Sequence, residues 1–248
     1  MKKILIIGCS NGHNRHHEFR RIFQKTQSKA NNVSKGSDDD VFLVDDYCEY
    51  TNLSMSGAGN TYIRHRLFDY LKDKTPDYVY LQFSGLIRKD IYFLKEAQDI
   101  FLASATHSYK IVDNKIFMVG GNLLDSRISD FQKKIFSMMY STKDTNINNY
   151  ESLQEVFLSL SILEKLNIKH NFTFYYDPTN PPTEATRQEG TINKFPHYIN
   201  CDKLLPSPLN FAIENGYNVP DGVHFDDITF FNYLENNKEK INIDLDDK

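Results

Sequence analysis

The sequence has no tryptophan, only three cysteines and no long apolar run. A membrane-spanning helix needs roughly 20 apolar residues, so no membrane partner is expected. The basic start Lys2-Lys3 before an apolar segment is typical of a signal peptide, but the segment is too short for one. Cys9, Cys48 and Cys201 lack the spacing of a metal site, and their odd number argues against a disulfide framework. These absences predict a cytoplasmic protein in a reducing compartment.

A surplus of positive charge is also missing, since 29 Lys and Arg residues face 33 Asp and Glu residues for a net charge of -4. No basic stripe runs along the chain, which argues against a nucleic-acid partner. Hydrophobic residues make up 40% of the chain, and without Trp the bulk of the core must come from 18 Phe and 15 Tyr residues. We predict one domain over residues 1–236 and a polar tail over 237–248.

Short apolar runs alternate with segments of helical periodicity. Strands are predicted at residues 2–7, 41–44, 78–83 and 172–176, with a fifth at 198–200. Helices are predicted at residues 15–26, 61–71, 91–103, 124–139, 150–166 and 227–235. Strands that alternate with helices form βαβ units around a parallel sheet. The sequence therefore predicts an α/β fold.

Three segments are expected to depart from this alternation. Residues 107–120 are predicted to form a hairpin inserted outside the sheet. Residues 45–59 are predicted to be a loop, at whose end Asn60 caps the following helix. Residues 177–208, rich in Pro, Thr and Asn, are predicted to form a long loop or a lid, because loops of this length in compact domains are often functional.

The first predicted strand leads into a turn of small residues, Gly-Cys-Ser-Asn-Gly at 8–12. Ligands of open α/β sheets bind beyond the carboxyl ends of the strands, so Ser10 is expected at the mouth of such a crevice. Near the other end of the chain, Asp221 and His224 are three residues apart, so the carboxylate can hold one imidazole nitrogen. A serine nucleophile needs such an oriented base. Together these residues predict a Ser-His-Asp triad.

With these residues the sequence resembles the SGNH or GDSL-like serine hydrolases. The first block of that family is typically Gly-Asp-Ser and reads Gly8-Cys9-Ser10 here, while Asp221-Gly222-Val223-His224 matches the fourth block. The second block of the family contributes an oxyanion-hole glycine, which corresponds to Gly57, with Gly59 as the alternative. The resemblance extends from about residue 4 to residue 234. It implies a three-layer α/β/α, flavodoxin-like fold with a parallel sheet of four or five strands.

The third block departs from the family pattern. The family has Gly-x-Asn-Asp after its third strand, and the Asn donates a hydrogen bond to the oxyanion, whereas Leu86 occupies the Asn position here. Losing one such donor costs about 10²–10³ in turnover in a known case. Either the N–H groups of Ser10 and Gly57 hold the oxyanion alone, or a nearby side chain takes the missing role. The candidates for that role are Gln82, Ser84 and Arg88.

Other chemistries fit the sequence less well. His13, His16 and His17 could bind a metal, but no acidic or Cys partner is spaced to complete a site. The acidic triplet at residues 38–40 is typical of a solvated loop. The turn at residues 8–12 lacks the Gly-x-Gly-x-x-Gly order of a dinucleotide loop. The triad itself needs no cofactor, so neither a metal nor an organic cofactor is expected.

The family resemblance implies a serine esterase that acts on a small carboxylic ester, with O-acetyl groups on carbohydrate among the candidate substrates. The expected partner is therefore a small-molecule or carbohydrate ester. Two alternatives stay open, namely an acyltransferase with the same triad and a non-catalytic binding module on the same fold. The altered third block favours the binding module. The aromatic residues near the long loop suit a sugar-binding surface and a core equally: Tyr175, Tyr176, Phe195 and Tyr198.

Overall fold

The computed structural model describes residues 1–9, 18–19, 21, 32–35, 41–44, 48–55, 57–88, 90–94, 109–112, 115–119, 134, 137–138 and 145–241. Within these ranges the strands are β1 (Lys2–Gly8), β2 (Asn32–Lys35), β3 (Val41–Val44), β4 (Cys48–Asn52), β5 (Tyr78–Phe83), β6 (Asp90–Leu94), β7 (Tyr109–Val112), β8 (Lys115–Val119) and β9 (Lys169–Phe174). The helices are α1 (Asn60–Asp73), α2 (Thr145–Lys165), α3 (Glu184–Gln188), α4 (Pro208–Glu214) and α5 (Asp227–Asn236), and a 3-10 turn spans Cys201–Lys203.

Four parallel strands form the centre of the main sheet. Its order is β2-β3-β4-β1-β5-β9, in which β4, β1, β5 and β9 are parallel, whereas β2 and β3 form an antiparallel edge. Numbered along the chain, the parallel strands lie in the order second, first, third, fourth, which is the flavodoxin-like order. Helices cover both sides of the sheet. The predicted three-layer α/β/α fold with a parallel sheet of four or five strands is thus confirmed, with four parallel strands among the described residues.

The second parallel strand is not the one predicted from the sequence. Val41–Val44 is a strand, but it pairs antiparallel with β4, and β4 is the parallel neighbour of β1. The prediction of a loop over residues 45–59 is therefore wrong for β4. Glu49, Thr51 and Asn52 interrupt the apolar run of that strand, yet its backbone pairs on both sides. A prediction from apolar content alone therefore assigned the parallel position beside β1 to β3 instead of β4.

The inserted hairpin is confirmed, and it belongs to a second sheet. Strands β7 and β8 pair antiparallel, and β6 joins them in the order β6-β8-β7. The helix predicted over residues 91–103 is wrong over β6, where the β-branched and aromatic residues Ile91, Tyr92 and Phe93 favour a strand that pairs with β8. The remainder of that segment lies outside the described residues.

Other predicted elements have mixed outcomes. The helix predicted over residues 150–166 is confirmed, although α2 begins earlier, and the final helix is confirmed as α5. Most of the helices predicted at residues 15–26 and 124–139 lies outside the described residues, although Glu18, Phe19 and Arg21 are helical. The strand predicted at residues 198–200 is wrong, because Asn200 instead caps the 3-10 turn by accepting the Asp202 N–H at 3.0 Å. None of the described helices is long and apolar enough to cross a membrane.

The alternation of side chains along each strand divides the core between two faces of the sheet. We call the side that packs against α1 and α2 the first face, and the side that packs against α4 and α5 the second face. From the parallel strands, the first face takes Leu5, Ile7, Val79, Leu81, Phe83, Phe172 and Phe174. The second face takes Ile4, Ile6, Cys48, Tyr50, Tyr78 and Tyr80.

Contacts with the strand ends fix the segment that was predicted as a loop or lid. Much of residues 177–208 is irregular, with α3 and the 3-10 turn as its short regular parts. The Ile87 N–H donates to the Glu189 carbonyl at 3.1 Å, and the Tyr176 hydroxyl donates to the Gly190 carbonyl at 2.6 Å. After α5 the packed chain continues at least to Ile241, whose side chain is buried on the second face although the sequence places it in the polar tail.

Candidate active site

The carboxyl end of β1 is packed closely against β5. Gly8 lies opposite Gln82 in the parallel register. A Cβ atom on Gly8 would lie 2.8 Å from the Gln82 Cβ and 3.1 Å from its carbonyl oxygen, so any larger residue would collide with the neighbouring strand. Glycine at this position therefore lets the Gln82 side chain lie directly beside the end of β1.

Ser10, the predicted nucleophile, lies outside the described residues. Its chain neighbour Cys9 is fully buried and belongs to the core cluster of the second face. The described chain therefore reaches the residue before Ser10, at the end of β1.

Asp221 and His224 form the pair that the sequence predicts. The Asp221 Oδ2 atom is hydrogen-bonded to the His224 Nδ1 atom, and the Asp221 Oδ1 atom accepts the backbone N–H groups of Val223 at 3.0 Å and His224 at 2.7 Å. Gly222 has a φ angle of 76°, which glycine adopts without strain. The carboxylate thus fixes both the turn and the imidazole, and it leaves Nε2 on the far side of the ring.

The electrostatics of this turn favour an ionised carboxylate. Partial burial alone would raise the pKa of Asp221, but the hydrogen bonds from the His224 side chain and from the backbone outweigh it and lower the pKa below the ordinary value. Both side chains are about half exposed. Phe225, the next residue, is buried in the cluster that also contains Cys9. The chain neighbours of His224 and Ser10 therefore belong to one core.

The predicted oxyanion turn lies beside the same strand end. The Met55 N–H donates to the Gly8 carbonyl at 3.0 Å, which joins the segment after β4 to the end of β1. Gly57 follows with a φ angle of 79°, and its N–H has no hydrogen-bond partner among the described residues. The alternative, Gly59, is excluded as a donor because its N–H already donates to Asp90 Oδ1 at 2.8 Å.

Asp90 was not identified from the sequence as part of this site. Its carboxylate accepts the N–H groups of Gly59 and Tyr62, both at 2.8 Å, and so caps α1 from another strand. Burial raises the pKa of Asp90 to about 7, although the two backbone hydrogen bonds and the charge of Arg88 oppose the shift. Asn60 is the first residue of α1 and not its N-cap, and its Oδ1 instead accepts the Ser84 N–H at 2.7 Å.

Two residues of the third block have structural roles. Leu86, at the position of the family Asn, is fully buried in the core of the first face. Arg88 donates from Nε and Nη2 to the two carboxylate oxygens of Glu189 at 2.7 and 2.8 Å, and its guanidinium lies 5.0 Å from the centre of the Tyr175 ring. Glu189 was not identified from the sequence. The ion pair with Glu189 therefore gives the Arg88 guanidinium a structural role.

The other two candidates of the third block have unpaired polar side-chain atoms. Gln82 and Ser84 are fully buried. The Gln82 Nε2 and Oε1 atoms and the Ser84 Oγ atom have no hydrogen-bond partner in the described part of the chain. Buried polar groups are normally paired, so these atoms need an explanation that the fold alone does not supply.

The aromatic residues considered for a sugar face are mostly internal. Tyr175 and Tyr176 are buried, whereas Tyr198 is exposed. A cavity of about 190 Å³ lies beside the end of β9, where Phe174, Phe195 and Lys240 line it, but neither His224 nor Gln82 does. It is therefore separate from the candidate site.

The structure describes no cluster of three or more His, Cys, Asp or Glu side chains that could hold a metal ion. His13, His16 and His17, the metal candidates of the sequence, lie outside the described residues. No protein-family model matches the chain, and no curated protein matches it. The residues of the site are therefore the basis for assigning a function to the chain.

Proposed function

We propose that this protein is a serine esterase, an acyl hydrolase that cleaves a small carboxylic ester with Ser10, His224 and Asp221. The observation that carries the proposal is the hydrogen bond from His224 to Asp221, together with the burial of Phe225 and Cys9 in one cluster. That arrangement supplies an oriented base whose chain neighbour belongs to the same core cluster as the chain neighbour of a serine. The serine follows the strand end at which ligands of such folds bind.

In the proposed reaction, His224 Nε2 takes the proton of the Ser10 hydroxyl while Oγ attacks the ester carbonyl. The resulting tetrahedral intermediate collapses when the imidazolium protonates the leaving alcohol. Water then enters, loses a proton to the same nitrogen and releases the carboxylic acid, which restores the serine. Asp221 keeps Nδ1 protonated and stabilises the imidazolium without itself taking the proton. The N–H groups of Ser10 and Gly57 bind the developing oxyanion.

The resemblance to SGNH hydrolases supports an O-acetylated carbohydrate as one substrate class. Burial of Tyr175 and Tyr176 removes two of the aromatic rings considered for sugar stacking, and Tyr198 stays available at 41% exposure. We therefore propose a small acyl group on an alcohol as the common feature of the substrates, with the carbohydrate as one form of that alcohol.

A fluorophosphonate probe, which reacts covalently with activated serines, tests the proposal directly. We expect the wild-type chain to be labelled and Ser10→Ala to lose labelling. Turnover of a small acetyl ester should fall by about 10⁴-fold in Asp221→Asn, because an amide no longer selects the productive imidazole tautomer. His197→Asn changes an exposed histidine outside the site and provides the matched control.

Absence of labelling, or labelling that persists in Ser10→Ala, would contradict the esterase proposal and favour a binding module. Incubation with an acyl donor and a sugar acceptor distinguishes water from a hydroxyl as the second substrate. Acyl transfer to the sugar at the expense of hydrolysis would favour the acyltransferase.

A further inference from the structure

The cavity of about 190 Å³ lies at the carboxyl end of β9. Ligands of open α/β sheets bind beyond the carboxyl ends of the strands, so the cavity occupies a favoured place for a ligand. Six apolar residues form most of its wall: Phe174, Pro178, Phe195, Leu204, Leu205 and Pro206. Asp177, Ser207 and Lys240 complete it. An apolar cavity with a few polar groups is the usual form of a small-molecule site.

Part of the cavity wall is fixed by contacts with β9. Leu204 pairs in parallel with Phe172, and the Leu205 N–H donates to the Phe172 carbonyl at 2.8 Å. The Pro206 carbonyl accepts the Thr173 hydroxyl at 3.0 Å. This segment therefore continues the sheet beside β9. A cavity with preformed walls binds a ligand at a small cost in conformational freedom.

Of the polar groups in the wall, the Asp177 carboxylate can accept a further donor. The Thr179 N–H and hydroxyl donate to Asp177 Oδ1 at 2.8 and 2.7 Å, and the Asp177 N–H donates to Asn210 Oδ1 at 2.9 Å. These bonds orient the carboxylate and leave Oδ2 for a ligand. The Ser207 hydroxyl is already engaged, because it donates to the Tyr175 carbonyl at 3.0 Å and accepts the Asn210 N–H at 3.2 Å.

Lys240 brings the opposite charge to the same cavity. It follows α5 and is exposed to solvent. None of the ion pairs between described residues joins Lys240 to Asp177. A simple anion would be attracted by Lys240 and repelled by Asp177, and a simple cation would meet the reverse. A zwitterion can place each of its charges beside the opposite one, so charge complementarity favours a ligand that bears both signs.

The size of the cavity limits the apolar part of the ligand. An engineered cavity of about 150 Å³ in another protein holds benzene. The cavity beside β9, at about 190 Å³, therefore accommodates a branched aliphatic or a phenyl side chain. Phe174 and Phe195, whose ring centres are 5.4 Å apart, supply aromatic surface for such a group. A polar side chain would lose its hydrogen bonds to water against these walls.

We propose that this cavity binds a free α-amino acid with an apolar side chain of the size of leucine or phenylalanine. The ligand ammonium donates to Asp177 Oδ2, and the ligand carboxylate accepts from the Lys240 ammonium. The side chain of the ligand lies against Phe174 and Phe195. The inference does not depend on the proposed esterase function, because His224 is not part of the cavity wall.

Isothermal titration calorimetry of the full chain with L-leucine tests the proposal. Two analogues each lack one charge, namely L-leucine amide without the carboxylate and 4-methylpentanoate without the ammonium. We expect L-leucine to bind and each analogue to bind about 5–50-fold more weakly, because each loses one charge-assisted contact. Glycine should bind about tenfold or more weakly than L-leucine, because it has no side chain to bury.

Two variants assign the charges of the ligand to their partners. Lys240→Met should weaken L-leucine by about 5–50-fold and leave L-leucine amide unchanged, because the amide has no carboxylate to lose. Asp177→Asn keeps the Oδ1 acceptor for Thr179 and should weaken L-leucine without weakening 4-methylpentanoate. Lys238→Met is the matched control, since Lys238 is an exposed lysine of the same segment that pairs with Glu235. It should bind L-leucine as the wild type does.

The inference is overturned if neither L-leucine nor L-phenylalanine binds the wild-type chain, or if L-leucine and its two analogues bind equally well. It is also overturned if Lys238→Met costs as much affinity as Lys240→Met. Ser10→Ala should bind L-leucine with wild-type affinity. Loss of the esterase proposal and loss of this inference are therefore measured separately.

Discussion

The two faces of the sheet differ in the side chains that its parallel strands contribute. The first face receives aliphatic residues and phenylalanines, whereas the second receives three tyrosines, Tyr50, Tyr78 and Tyr80. Near the strand ends the second face also has the amide of Gln82 and the hydroxyl of Tyr175, neither of which has a hydrogen-bond partner in the described ranges. Both faces are buried, but polar groups at the strand ends distinguish the second.

This difference indicates that one face contributes mainly to stability and the other to function. Apolar burial stabilises a fold roughly in proportion to the area removed from water. Buried polar groups without partners work against stability, and proteins retain them mainly where they act on a ligand or a reaction. We therefore expect changes on the first face to affect stability and changes around Gln82 and His224 to affect turnover.

The largest stability effect is expected at the centre of the first face. Leu81→Ala should lower the free energy of unfolding by about 2–5 kcal/mol, because a fully buried leucine leaves a cavity when truncated. Turnover per folded molecule should not change. Denaturant unfolding monitored by circular dichroism measures the first quantity, and activity normalised to the folded fraction measures the second.

Leu158→Ala is the control for this experiment, because Leu158 lies on α2 with 44% of its surface exposed. Its loss should be about 0.5 kcal/mol or less. Equal losses for the two variants, or a selective loss of turnover in Leu81→Ala, would remove the distinction between the faces.

An intermediate effect is expected from Asp90, whose carboxyl lies at the start of α1 on the first-face side. Its pKa is about 7 in the folded chain and ordinary in the unfolded chain, so its contribution to stability is fully present below about pH 4 and is lost as the pH rises through 7. The free energy of unfolding should therefore fall by on the order of 2 kcal/mol between pH 5 and pH 7 because of this group. Asp90→Asn should flatten that part of the profile.

Four charged or polar neighbours act on the Asp90 carboxyl, and three of them limit the rise in its pKa. The Gly59 and Tyr62 N–H groups and Arg88 favour the carboxylate, whereas Glu155 disfavours it. The comparison is therefore made as a difference between wild type and Asp90→Asn in denaturant unfolding at each pH. Asp69→Asn, on the same helix at its Lys72 ion pair, should keep the wild-type slope. A slope that survives in Asp90→Asn would assign the pH dependence to another group.

The sequence predicts those parts of the fold and site that depend on local patterns. A strand covered on both sides must be apolar along its length, so β1 and β5 can be predicted from the sequence. Their order in the sheet follows from the flavodoxin-like pattern. Asp221 and His224 lie three residues apart, so one turn is enough to bring them together. Local spacing was therefore sufficient for the fold class and for the acid-base pair.

Contacts between distant segments could not be predicted from local sequence patterns. Asp90 meets Gly59 across 31 residues, and Arg88 meets Glu189 across 101 residues, so neither pair has a local signature. Strand β4 was missed because its polar residues conceal a backbone that pairs on both sides. Gln82 could be named as a candidate, but only the folded structure shows that its amide has no hydrogen-bond partner among the described residues.

The smallest effect is expected from two adjacent tyrosines that are both buried on the second face. The Tyr176 hydroxyl donates to the Gly190 carbonyl at 2.6 Å, whereas the Tyr175 hydroxyl has no partner among the described residues. Tyr176→Phe should therefore lower the free energy of unfolding by about 0.5–1.5 kcal/mol. Tyr175→Phe should change it by about 0.5 kcal/mol or less, because its ring keeps the Arg88 guanidinium 5.0 Å from its centre. Denaturant unfolding of both variants makes the comparison, and a loss above about 1 kcal/mol in Tyr175→Phe would mean that this hydroxyl is paired. Gln82, and not Tyr175, would then be the unpaired side chain near the strand ends of the second face.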